Sequence, residues 1–147
     1  MRGAEGDYAS WLKSGGGPYD GFLLSTANCF ARELNQMLDN LSAKREQSAQ
    51  ELSKRLSAVI KEAFELVKGL PKGNAFANAN KAMDHFFAYG PKAAEVQPPR
   101  LHSGDSLPVE VVRQMGEILR KHGLMSSEGY LKAEGVAADK GQNGGWR

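Results

Sequence analysis

The chain has 147 residues, 41% of them hydrophobic and 24% charged, and a formal net charge of +2. That size and balance suit one soluble globular domain with its own core, and they point to neither nucleic acid nor an anionic membrane as a partner. A single cysteine excludes an internal disulfide, no apolar run approaches the roughly 20 residues of a membrane span, and the first residues carry no apolar signal region, so a reducing, cytoplasmic setting is the expectation.

In chain order, Asp7 stands as the N-cap of a short helix over 7–13 that carries Trp11 and Leu12. The breaker cluster Ser14-Gly15-Gly16-Gly17-Pro18 ends it. Residues 20–25, Asp-Gly-Phe-Leu-Leu-Ser, read as one short buried strand. Asn28 then sits at the N-cap position of a helix over 28–41, in which Phe30, Leu34, Met37, Leu38 and Leu41 share a face.

A longer helix covers 45–68. Its stripe runs through Ala49, Leu52, Leu56, Val59, Ile60, Ala63, Phe64 and Val67, and Gly69 and Pro71 close it. The next helix, over 74–88, presents Phe76, Ala79, Ala82, Met83, Phe86 and Phe87, and stops at Tyr89-Gly90-Pro91. Residues 90–107 form an irregular connection around Pro98-Pro99. Pro108 opens a last helix over 108–122, whose face is Val111 or Val112, Met115, Ile118 and Leu119. Residues 126–147 are Gly-rich, polar and aperiodic, and read as a flexible tail.

The fold class is therefore mostly α, with one short strand and four or five helices. A lone strand leaves donors and acceptors unpaired on both edges, so residues 20–25 call for a partner strand that the rest of the chain does not supply. Residues near 1–5 or a second copy of the chain are the available partners.

Few residues carry chemistry. His85, His102 and His122 are far apart, none with a ligand at helical spacing, so neither metal nor any other cofactor is expected. Cys29 begins a helix, where the dipole lowers a thiol pKa, but a small buried residue is the simpler reading. Gly15-Gly16-Gly17 lacks the pattern of a phosphate loop. Asp84, Glu95 and Asp105 read as surface charge. A Schiff-base lysine should end an apolar strand, and none of Lys13, Lys54, Lys61, Lys68 and Lys81 does.

Five stretches nevertheless carry a resemblance. They are Glu5-Gly6-Asp7, then 20–28, 73–83, Gln97-Pro98-Pro99-Arg100-Leu101 and Leu119-Arg120-Lys121-His122-Gly123-Leu124. Their order and spacing resemble the C-terminal part of the dihydrodipicolinate synthase / N-acetylneuraminate lyase family, which are (β/α)8 TIM barrels with a C-terminal helical extension. The resemblance implies that residues 1–44 correspond to the end of the barrel, with strand 20–25 as the eighth, and that 45–125 form the extension. Barrels of this kind need on the order of 250 residues.

The family condenses or cleaves pyruvate and other 2-keto acids through a Schiff-base lysine on the sixth strand. The resemblance places that lysine, the relay tyrosine and the carboxylate loop upstream of this chain. It implies an inactive isolated chain that meets a 2-keto acid only within a complete barrel. It carries Gly6 and Leu23 to the pocket near the lysine, and Ser25 and Asn28 to the mouth after the eighth strand. Gln97-Pro98-Pro99-Arg100 departs from the family's commoner Arg-Pro-Pro-Leu, so no role passes to Arg100. The alternative is a non-catalytic helical module for interaction or self-association.

Overall fold

Residue 1 and residues 3–131 are described by a computed structural model. Within them run α1 (Tyr8–Trp11), α2 (Ala27–Ser42), α3 (Glu46–Val67), α4 (Ala75–Tyr89) and α5 (Val109–Lys121), with no sheet. The four long helices start and end within about a residue of where periodicity and breakers place them.

The apolar stripe of α3 explains the architecture. Ala49, Leu52, Leu56, Val59, Ile60, Ala63 and Val67 are all buried along it. Those positions wind around enough of the helix for α3 to touch each of the other four. Burying one such aliphatic side chain contributes about 1.5–3 kcal/mol, so this helix anchors the core. Met37 of α2, Met83 and Phe86 of α4, and Met115 and Leu119 of α5 fill the space around it, all fully buried.

Each end is closed by a specific device. The Asn74 side chain accepts from the Ala77 amide at 2.7 Å and starts α4. Pro108 is the cap of α5 and not its first residue, and Val109 is exposed. The connection 90–107 is more ordered than expected. It opens with a 3-10 helix, Gly90–Glu95, and closes with a turn in which Arg100 bridges Ser106. The Lys72 ammonium holds that turn through Asp105 at 2.8 Å.

Three expectations need correction. First, residues 20–25 form no strand: Asp20 lies in a bend and Ser25 in the turn that leads into α2. Nor is the segment buried throughout: Leu24 and Thr26 are buried but Leu23 is 72% exposed. Phe22 makes only an isolated bridge, and among the described residues no neighbouring segment extends it into a ladder.

Second, neither expected cap performs that role. Asp7 has left-handed backbone (φ 46°) and makes no capping bond with its side chain. The donors at the start of α1 go to α3 instead: Asp7 N–H to Ser57 Oγ at 3.0 Å and Ala9 N–H to Ser53 Oγ at 3.1 Å. Helix α1 is only four residues long, and α3 satisfies the donors at its start. Asn28 lies inside α2 and is exposed, and the N-cap is Thr26.

Third, the tail does not begin at residue 126. Tyr130 and Leu131 donate their amides to Phe87 O and Ala88 O of α4, both at 2.9 Å. The rest of the expected flexible tail, 132–147, lies outside the described residues.

Candidate functional site

The densest polar constellation surrounds Glu5. Its carboxylate accepts from Tyr8 Oη at 2.8 Å, Ser25 Oγ at 3.2 Å, the Thr26 amide at 3.3 Å and Thr26 Oγ1 at 2.6 Å. Thr26 uses its hydroxyl on Glu5 and not as a side-chain cap, and α2 has no acidic residue in its first turn. Glu5 thus supplies the negative charge that a helix start favours, from 21 residues upstream of Thr26. Tyr8 is buried, and burial together with the Glu5 charge pushes its phenol far above the ordinary tyrosine value. It remains a hydrogen-bond donor across the working pH range.

This clamp aligns two extended segments. Gly3 approaches Leu23 O, with an added Cβ 3.6 Å away, and Glu5 reaches Ser25, the same offset of twenty residues. Segments 3–5 and 23–25 therefore run side by side in the same direction. Chain 6–22 connects them through α1, and the short bridge Leu12–Tyr19 is likewise parallel. Phe22 packs edge-on against Tyr8, with ring centroids 5.8 Å apart, and fixes the inner face.

Of the four residues that the resemblance selects, three gather here. Leu23 and Ser25 lie on the open face, and Gly6, with φ +86°, follows Glu5. Asn28 is on the surface of the first turn of α2 and does not join the clamp. No sequence pattern groups Glu5, Tyr8 and Thr26. Glu5 and Thr26 both stand in the family-like stretches, but nothing local links them.

Gly3 to Asp7 also form one wall of a groove of about 650 Å³, whose far side is Ser57, Ile60, Lys61, Phe64, Glu65 and Phe76. Phe64 and Phe76 meet edge-on at 4.6 Å, with Phe76 half exposed.

Other chemistry-bearing residues are accounted for by packing. Burial pushes the Cys29 thiol up to about 12, with the Asp84 charge adding to it, so the helix dipole does not activate it. Among the described residues every lysine is exposed except Lys81, which is half-buried and donates to Arg100 O at 2.5 Å. No group of three His, Cys, Asp or Glu side chains converges among them, and no helix of theirs is long and apolar enough to cross a membrane. His122 caps α5 and lies 3.1 Å from Glu62, which Lys121 also holds. His102 is on the exposed turn.

His85 is buried with Nε2 donating to Ala93 O at 2.9 Å. Burial holds its pKa below the ordinary 6.5, since the fold favours neutral imidazole. That contribution is complete above pH 6.5 and is lost as pH falls toward the lower folded value. Glu62, Asp105 and Glu110 are held below their ordinary range by Lys121, Lys72 and Arg113 respectively, Glu110 at about 2. Their contributions are present above about 4.5 and fade as pH drops below it. The melting temperature should therefore be flat above pH 7, fall in a first step below it, and decline again below 4.5 with a slope that salt weakens. Thermal melts from pH 8 to 3 check this; a melting temperature that rises between pH 7 and 5.5 would contradict the neutral, buried His85.

Set against protein-family models, curated proteins and solved structures, the chain matches none of them.

Proposed function

We propose that this chain carries the last β/α unit and the helical extension of a Schiff-base 2-keto-acid lyase barrel, and that alone it is a scaffold without a catalytic step. The observation that supports this most directly is the one-sided packing of 22–26. In a (β/α)8 barrel, one face of each strand packs on the helices and the other looks into the barrel. Leu24, 8% exposed, and Leu23, 72% exposed, follow that division, and 3–5 run parallel beside them. A helical crossover between parallel extended segments is the β/α repeat in miniature.

The expected inactivity has its own chemical reason. Schiff-base formation needs an amine desolvated enough to be neutral near pH 7. No described lysine is in such a place. Incubation with pyruvate and borohydride should leave the intact mass unchanged, and a pyruvyl adduct would overturn the claim. The barrel assignment is tested separately by sequencing the gene upstream of Met1. Six further β/α units, one strand ending in lysine, are expected there, and their absence refutes it.

A second reading, a helical module that self-associates through the open face, draws on the exposure of Met1 and Leu23 on adjoining extended segments. Sedimentation of the wild type and of Leu23→Lys separates the two: a dimer abolished by the substitution favours the module.

A further inference from the structure

We propose that residues 3–7 are a releasable strap, with the Glu5 carboxylate as its latch. The strap belongs to no ladder among the described residues, and Gly3, Ala4 and Asp7 are exposed. Its centre is held because three residues of two other segments converge on one carboxylate: Tyr8 at the start of α1, and Ser25 and Thr26 at the start of α2. Gly6 is drawn in through the same phenol, to which its amide bonds. Asp7 adds one bond to α3, through Ser57.

The latch is uneven in a way that makes it a device. Tyr8 and Thr26 are each 1% exposed while the strap is in place, so as long as it is closed the Glu5 carboxylate, and not water, satisfies their hydroxyls. Glu5 itself is only half-buried, and its strap is on the surface. The costs of opening are therefore concentrated on one exchangeable side chain. Lifting the strap removes one wall of the 650 Å³ groove and uncovers Ile60 and Phe64 on α3. It also takes from the start of α2, whose own first turn has no acidic residue, the carboxylate that bonds Thr26. Access to the groove and order at the start of α2 are thus coupled through Glu5. This holds whether or not the chain belongs to a lyase barrel.

Hydrogen–deuterium exchange of the whole chain tests the latch. In Glu5→Ala, amides of 3–7 and 26–28 should exchange about tenfold faster, while α3 and α5 stay within about twofold of wild type. Anilinonaphthalene sulfonate fluorescence should rise as the groove opens. Tyr8→Phe keeps the ring in the core but removes one donor, and should accelerate the same segments about threefold. Two results would overturn the proposal: unchanged protection of 3–7 in Glu5→Ala, or equal acceleration throughout α3 and α5 in both variants. The second would mark Glu5 as ordinary structural support.

Discussion

Truncating Phe86 to alanine should lower the stability by about 3–5 kcal/mol, a large share of the roughly 5–15 kcal/mol that holds an ordinary domain together. Phe86 is fully buried on α4 and its ring lies against Gly116 of α5. A Cβ added at Gly116 would fall 2.6 Å from Cζ and 2.8 Å from Cε1 of that ring. Two effects then compete in Gly116→Ala. Helix propensity gains about 1 kcal/mol, while overpacking a closed core costs about 1–3 kcal/mol. The ring has no exposed side to move toward, so overpacking wins and the variant is destabilised. Phe86→Leu shortens the ring's reach and should absorb the extra methyl. The double variant should therefore lose less than the two singles together, by about 0.5–3 kcal/mol. Urea denaturation with unchanged slopes measures all four proteins. A neutral or stabilising Gly116→Ala would mean that α4 and α5 slide freely past each other.

The features that were legible in the sequence are those written in local periodicity. The stripe from Ala49 to Val67 specifies a helix buried along its length, and α3 is that helix. The helix expected over 74–88 begins where Asn74 caps it through a bond to the residue three positions on. What escaped are features built from residues distant in sequence. The start of α2 is served by Glu5, and that of α1 by Ser53 and Ser57 of α3. No window of 11–18 residues contains both members of such a pair. The segment 20–25 falls between these cases. Its apolar residues favour a strand, but a ladder needs partners, and a short apolar run says nothing about whether they are present. The clamp is half-visible: Glu5 and Thr26 stand in two of the stretches that carry the resemblance, while the contact between them belongs to the tertiary fold.

Residues 126–131 are likewise fastened by partners distant in sequence. Their sequence is polar and aperiodic because their fastening is backbone to backbone. The last carbonyls of an α-helix lack intrahelical donors, and here Gly90, Tyr130 and Leu131 supply them to Phe86, Phe87 and Ala88. The approach requires glycine on the incoming strand of chain. A Cβ at Gly129 would lie 2.2 Å from Ala88 O and 2.7 Å from the Ala88 carbonyl carbon, and backbone cannot yield as a side-chain tip does. Gly129→Ala should therefore detach 126–131 as a unit, freeing two carbonyls of α4 and the Tyr130 phenol that now bonds Asp84. Each lost bond is worth about 1 kcal/mol, so a local loss of about 2–3 kcal/mol follows. It should appear as about a hundredfold faster exchange at the Tyr130 and Leu131 amides, with the buried amides of α3 little changed. Gly129→Ala with wild-type exchange at those two amides would show that α4 can shift its C-terminal turn to admit the methyl. In that case the end of α4, and not the glycine, sets the position of 126–131.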